Sequence, residues 1–433
     1  MGFMKTSFRI IGGKPLSGRL EPMGNKNAAL PMLAACLLTD EPVILDNVPS
    51  ILDVKAMLEA LESLHVSIEK LGPKTFRLQA NGSIQNRVAE EICNRVRTSI
   101  LFAGPLLARE GEVVLSPPGG DVIGRRRLDT HFAGLRALGA SIEINRHFYF
   151  SAPDGLKGQR IFLDEASVTA TENLLMAASM AEGTTILINA ACEPHVQDLC
   201  RLLNKMGARI SGIGTNRLII EGVEKLHGTE HRVCPDHIEI GSFVALSAIS
   251  GGELLVDGII EEDMWMIQQT FARVGIQFTL EDSRLTLPRQ DQLIIQPDMG
   301  NRIPTIDDAP WPQFPSDLMS PLIVAATQAQ GTILFHEKMF ESRMFFVDRL
   351  VSMGAAIILC DPHRCVVTGP VKLHQANLTS PDIRAGMAIL MAALLAGGES
   401  IIQNADMIDR GYENIDGKLA ALGAEIERTS PCD

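Results

Sequence analysis

A short pattern, Leu-Gly or a close variant leading into an alternating strand, occurs six times at intervals of roughly 70 residues, which limits the chain to a repeat architecture. It reads Leu138-Gly139-Ala140-Ser141-Ile142, Met206-Gly207-Ala208-Arg209-Ile210, Val274-Gly275-Ile276, Met353-Gly354-Ala355-Ala356-Ile357 and Leu422-Gly423-Ala424-Glu425-Ile426. A degenerate copy stands at Leu64-His65-Val66-Ser67-Ile68. Each copy follows an amphipathic helical stretch. A short β-branched strand precedes that stretch, and an Ala-rich apolar segment precedes the strand. The six segments are 27–38, 98–108, 171–181, 241–249, 317–328 and 384–396. They combine good helix formers with apolar residues nearly all round, as a buried helix requires. Each is too short to span a bilayer. One unit therefore reads strand, buried helix, strand, surface helix, strand, strand.

The last unit has a single strand after its Leu-Gly, while Phe8-Arg9-Ile10-Ile11 is a spare strand at the N-terminus. The N-terminal strand is thus expected to complete the last repeat. The fold class is α/β: a two-lobed inside-out α/β barrel of six βαβαββ-type repeats, three per lobe, with the active site in the interlobe cleft. One lobe is expected at 22–230 and the other at 1–21 plus 231–433, each of a size suited to one core. The crossings near residues 20 and 230 are expected to act as the hinge.

A net charge of −13 argues against a nucleic-acid binder, which needs a basic face. Eight Cys without a C-x-x-C suggest a reduced, cytoplasmic setting, and the N-terminus lacks the apolar core of a signal peptide. No His/Cys cluster has metal spacing, and no P-loop or nucleophile-elbow motif is present.

The unusual residues fall at two corners of each unit, the start of the buried helix and the loop after the second strand. Gly24-Asn25-Lys26-Asn27 opens the first buried helix, and a helix N-terminus with a Lys suits an anion. A simple Asn cap is the competing explanation. Arg97-Thr98-Ser99 opens the second; a lone Arg there is more often a surface residue. The loop 117–127 carries two Pro, three Gly, Asp121 and then Arg125, Arg126 and Arg127. Such backbone freedom exceeds what a passive solvated loop needs. Further along, Asp317 opens a buried helix, where capping is the commonest role for Asp. Acid–Arg pairs recur at Glu341/Arg343, Asp382/Arg384 and Asp409/Arg410. Each pair alone is more often structural. Together, Lys26, Arg97 and Arg126 in one lobe and Arg343, Arg384 and Arg410 in the other suit a substrate with several anionic groups.

At residue level the chain resembles the enolpyruvyl transferases, and most closely the branch whose acceptor is UDP-N-acetylglucosamine. The matching stretches are GNKNAALP (24–31), RTSILFAGPLLAR (97–109), PGGDVIGRRRLDTH (118–131), SVTATEN (167–173), FPSD (314–317), FESR (340–343), SPDIRAG (380–386) and IDRGYE (408–413). The shikimate-pathway branch shares the fold, but its characteristic stretch at the second buried helix is missing here. The resemblance implies transfer of the enolpyruvyl group of phosphoenolpyruvate to the sugar 3′-hydroxyl, the first committed step of peptidoglycan synthesis. It implies no cofactor, no metal and no obligate protein partner.

By the same resemblance, Lys26, Arg126 and Arg410 hold the phosphate and carboxylate, supported by Arg343 and Arg384. Asp317 contacts the 3′-hydroxyl as general base or orienter, and Asn27 contacts the sugar or the intermediate. Substrate contacts are also implied at Arg97, Arg125, Arg127, Leu128, Asp129, Ser167, Val168, Thr169, Glu341 and Asp382. Asp121 stands where most members carry the Cys that serves as loop general acid. A carboxyl can deliver that proton if its pKa is raised, whereas the flanking Arg would lower it. The substitution implies resistance to fosfomycin, which alkylates the Cys. Arg127, Glu165, His195 and His237 depart from the family's usual Pro, Lys, Glu and Arg. They leave open another UDP-sugar or nucleoside acceptor, or a non-catalytic paralogue that binds a sugar nucleotide.

Overall fold

The computed structural model describes residues 6–120, 124 and 126–430. They divide into two compact units, one of residues 6–23, 124 and 235–430, the other of 24–120 and 126–234.

Every repeat builds a small mixed sheet. A lead strand runs parallel to its neighbour, and two antiparallel strands follow. In the 24–234 unit, Arg160–Phe162 lies parallel to Thr184–Ile188, with Arg217–Glu221 and then Arg209–Ser211 beside it. The first repeat has the same order, but its lead strand is Glu230–Arg232, from the far end of the unit, parallel to Val43–Asp46. The second repeat has three strands, and its lead strand shrinks to a single parallel bridge from Arg87 to Val114. The other unit mirrors this. Gly18–Leu20 leads the sheet of Leu254–Asp257, and Thr305–Asp307 leads that of Gly331–His336. Ser7–Gly12 lies antiparallel between Gly398–Gln403 and Glu425–Thr429, in the sheet of the last repeat.

The Leu-Gly signal has a physical origin. Gly139, Gly207, Gly275, Gly354 and Gly423 all have φ between 88° and 105°, the left-handed residue that ends each surface helix. His65, in the degenerate copy, takes the same turn at φ 69°.

Inside each unit three buried helices pack on one another, and the sheets lie outside them. Helix His237–Ile249 is buried on every face from His237 to Ala248, and Ile383–Leu395 from Ile383 to Leu394. Two helices start later than their composition predicts. Arg97–Phe102 and Ser316–Leu318 are 3₁₀ turns, and the α-helices begin at Ala103 and Met319. Pro105 and Pro321 suit this: proline donates no backbone N–H and fits best in a first helical turn, the position both occupy here, although Pro31 is accommodated inside Lys26–Ala35.

Close approach of two buried helices depends on Gly104. A Cβ there would overlap the Asn173 backbone carbonyl. Gly104 N donates to Asn173 Oδ1 at 2.7 Å. Gly104→Ala is expected to cost about 3 kcal/mol by overpacking, read as a lower urea midpoint.

Candidate active site

In the 24–234 unit, Asn25 caps helix Lys26–Ala35 by accepting from Ala28 N, so the capping explanation holds for Asn25 itself. Lys26 is not needed for that cap. Its Nζ lies 2.8 Å from Asp53 Oδ2, with both side chains largely buried. A buried ammonium needs such a partner. Asn27 follows it in the first turn.

Arg97 is half-buried and engaged rather than free at the surface. Its Nη2 donates to the carbonyls of Arg126 at 2.6 Å and Arg127 at 3.2 Å. Gly120, with φ +117°, rests on the Arg97 Cβ, and Gly119 N donates to Cys93 O at 2.9 Å. One side chain therefore ties both ends of the Pro-Gly loop at its neck. Burial, then the Arg126 charge, pull Arg97 down to about 10, so it remains cationic at neutral pH. Asp121 and Arg125, expected in the loop itself, lie outside the described residues, as do Val122 and Ile123.

Arg127 does not stand free beside the loop. It pairs with Asp164 at 2.7 Å and Asp129 at 3.3 Å. Thr130 Oγ1 donates to Asp164 at 2.7 Å. Leu128 is partly exposed at the start of helix Asp129–Ala137. Ser167 caps helix Val168–Ala178, and Thr169 Oγ1 lies 3.0 Å from His131 Nε2. Asn173 Nδ2 donates to Ile100 O at 2.8 Å and to His131 Nδ1 at 3.0 Å. His131 Nδ1 therefore accepts, and its Nε2–H points at Thr169. Burial, then the Arg97 charge, push this ring down to about 3, so it is neutral. Glu165 is exposed and His195 buried.

The other unit centres on Asp317. Here the capping expectation fails: Pro315 occupies the cap position and makes no side-chain cap bond. The carboxylate instead meets Arg343 Nη2 at 2.8 Å on one oxygen and Arg384 Nη2 at 2.8 Å on the other. Both arginines are about 5% exposed. Burial would raise Asp317, but Arg384 and then Arg343 outweigh it and hold the carboxyl well below its usual range. Each guanidinium has its own support. Arg384 stands 5.4 Å over the Tyr412 ring, whose hydroxyl meets Ser242 Oγ at 3.0 Å. Arg343 stands 5.1 Å over Phe340. Asp382 caps helix Ile383–Leu395 through Arg384 N and Ala385 N, which fixes where Arg384 emerges.

Arg384 Nη1 and Arg343 Nε are buried yet have no hydrogen-bond partner among the described residues. Buried N–H groups normally find acceptors. Two cations that share one carboxylate and keep two donors over suit a further anion.

Arg410 ends the turn Ala405–Arg410 and is partly exposed; Glu341 is exposed. Asp409 is engaged by Arg428 at 2.6 Å. His237 packs edge-on against Trp311, and burial pushes it down to about 4, so it adds no cation. Asp53 and Asp164, which hold Lys26 and Arg127, carried no sequence signal, because only the fold brings them to their partners. Among the described residues no helix is long and apolar enough to cross a membrane, and no group of His, Cys, Asp or Glu could hold a metal.

Residues 10–419 match the family EPSP synthase (3-phosphoshikimate 1-carboxyvinyltransferase). A UDP-N-acetylglucosamine 1-carboxyvinyltransferase of Treponema denticola is 56% identical over 96% of this chain and 98% of its own length. The proteins of that name from Treponema pallidum and Bradyrhizobium diazoefficiens are each 52% identical over 97% of this chain. Among solved structures, the enolpyruvyl transferase NikO from Streptomyces tendae superposes with a TM-score of 0.87 at 22% identity, covering 98% of this chain and 99% of that one. EPSP synthase from Acinetobacter baumannii gives 0.78 at 18%, covering 98% and 100%. These two likenesses speak for the fold.

Proposed function

Because the chain belongs to the EPSP synthase (3-phosphoshikimate 1-carboxyvinyltransferase) family, we infer that it is an enolpyruvyl transferase, and its relatives narrow the reaction. It is a UDP-N-acetylglucosamine 1-carboxyvinyltransferase. It moves the enolpyruvyl group of phosphoenolpyruvate to the 3′-hydroxyl of UDP-N-acetylglucosamine and releases phosphate. The observation that carries the site assignment is Asp317, pinned between two buried arginines that keep unpaired donors. A dianionic phosphate and a carboxylate on one small substrate match such donors.

The residue roles are our proposal. Lys26, Arg126 and Arg410 bind the phosphate and carboxylate of phosphoenolpyruvate, with Arg343 and Arg384 in support. C3 gains a proton, and the sugar oxygen bonds to C2. In the resulting phospho-hemiketal the bond from C2 to the phosphate oxygen breaks, C3 loses a proton, and the double bond returns. Asp317 receives the hydroxyl proton, Asn27 contacts the sugar or intermediate, and Asp121 exchanges the proton at C3. Arg97 holds the neck of the Asp121 loop. Contacts to the acceptor fall to Arg125, Arg127, Leu128, Asp129, Ser167, Val168, Thr169, Glu341 and Asp382. We place the enzyme in the cytoplasm at the head of peptidoglycan synthesis. The seven described cysteines, all free, are in keeping with a reducing setting.

The test is phosphate release from phosphoenolpyruvate with and without UDP-N-acetylglucosamine, followed by product mass. Acceptor-dependent release of an enolpyruvyl ether supports the reading; none by folded protein rejects it.

Fosfomycin should leave the protein unmodified. Burial pushes Cys36 and Cys200 up to about 12, and a thiol reacts only as thiolate. Intact-mass measurement is expected to show no stoichiometric adduct on the wild type and one on Asp121→Cys. A stoichiometric adduct on the wild type refutes the expectation.

A further inference from the structure

Beneath the Asp317–Arg343 pair lies a second acid that the proposed reaction does not use. Glu337 is fully buried, as is Asp308 beside it. Ser316 Oγ lies 3.0 Å from Glu337 Oε1 and 2.8 Å from Oε2. Met339 N and Phe340 N both donate to Oε1, at 3.2 and 3.1 Å. Asp308 Oδ1 accepts from Lys338 N at 2.5 Å. The Glu337 backbone is fixed in turn: its N–H donates to His363 O at 2.8 Å, and His363 Nδ1 donates to its carbonyl at 2.8 Å.

These contacts form a closed ring. Ser316 directly precedes Asp317, and Phe340 supports the Arg343 guanidinium. One carboxyl thus grips the helix start that carries Asp317 and the turn that carries Arg343. We propose that Glu337 is a positioning residue for this reaction: as a neutral carboxylic acid, it holds Asp317 and Arg343 at bonding distance. The inference rests on the assignment of Asp317 and Arg343 to the reaction above.

The neutral form follows from the surroundings. The groups facing this carboxyl are Asp308, Arg343, Ser316 and the amides of Met339 and Phe340, with His363 on its carbonyl. Two adjacent buried carboxyls cannot both ionise cheaply. Burial, then Asp308, push Glu337 up to about 9 against the weaker pull of Arg343. Oε1 accepts the two amides, and a proton on the other oxygen would be shared with the neighbouring Asp308. An amide reproduces that arrangement, with oxygen toward the turn and NH₂ toward Asp308. An ionised carboxylate does not.

The experiment compares wild type, Glu337→Gln and Glu337→Ala by acceptor-dependent phosphate release from pH 7 to 10. Hydrogen exchange of the 338–343 amides is followed alongside. At pH 7, Glu337→Gln should keep kcat within about twofold. Glu337→Ala should lose about 100-fold in kcat, the scale of a small displacement of reacting groups, with KM for the sugar nucleotide little changed. The wild-type kcat should fall as pH passes about 9, and Glu337→Gln should hold its rate there. If Glu337→Gln is as impaired as Glu337→Ala, or declines with pH as wild type does, the proposal is overturned. Exchange separates this from failure of the assigned reaction. With no release by wild type, faster exchange of 338–343 in Glu337→Ala alone still supports the clamp. Unchanged exchange overturns it.

Discussion

Asp317→Asn is expected to lower kcat for phosphate release by about 1,000-fold while leaving the affinity for phosphoenolpyruvate undiminished or stronger. The two halves of the expectation have one cause. Asp317 offsets one of the two positive charges of Arg343 and Arg384, each 2.8 Å away and each about 5% exposed. Removing its charge leaves two buried guanidiniums with one neutral acceptor between them. An incoming phosphate or carboxylate then becomes a better partner than before. Catalysis suffers because an amide oxygen cannot take the hydroxyl proton. Calorimetric titration with phosphoenolpyruvate beside steady-state kinetics separates the two. Weaker binding with unchanged kcat would mean that Asp317 only shapes the anion site.

The same pair of arginines bears on timing. A carboxylate held this far below its usual range is a poor base toward a free hydroxyl. Its basicity rises once the substrate's anionic groups occupy the guanidinium donors. With Asp317 as the proposed base, the hydroxyl proton is expected to move late, after bond formation to C2 has begun. No ionisation of Asp317 should show in the pH profile of kcat/KM between pH 5 and 9.

Much of the fold was written in local chemistry. The left-handed turn after each surface helix demands Gly at five of six sites, and that demand is visible as Leu-Gly. Helices buried on every face must be apolar on every face, so 241–249 and 384–396 stood out by composition. What stayed hidden depends on partners far along the chain. Helix starts at 98 and 317 were misplaced because Pro105 and Pro321 matter only through the carbonyls they cannot bond. Asp317 looked like a cap because Asp at a helix start usually is one. Nothing local reveals that Arg343 arrives from the far loop of the same repeat and Arg384 from the next one. Arg97 looked like a surface residue for the same reason: its function lies in two carbonyls about 30 residues on. The acid–Arg pairs were legible as a set, since repetition at equivalent corners is a statement about the fold.

Stability should be greatest between about pH 4.5 and 6.5 and fall on both sides, because buried histidines and buried carboxyls act in opposite directions. A one-proton difference between folded and unfolded chain is worth about 1.4 kcal/mol per pH unit. His131 and His237 are held neutral, down to about 3 and about 4 from an ordinary 6.5. Below 6.5 the unfolded chain takes up two protons that the fold refuses, so stability falls with acid. Glu337 is pushed up to about 9 from 4.5, and burial raises Glu172 and Glu239 as well, so the fold holds these protons to higher pH than the unfolded chain does. Above 4.5 the unfolded chain has released those protons, so stability falls with alkali. Between 4.5 and 6.5 the histidines and the raised carboxyls act against each other. Below 4.5 only the histidines remain, joined by Asp317 as pH drops through 3.8. Above 6.5 only the carboxyls remain. Urea midpoints across pH 4 to 9 should trace this dome. Glu337→Gln should flatten its alkaline side by about 1.4 kcal/mol per pH unit up to pH 9. An alkaline limb of unchanged slope in that variant would mean that Glu337 is ionised in the folded protein, and the neutral clamp on Asp317 and Arg343 would go with it.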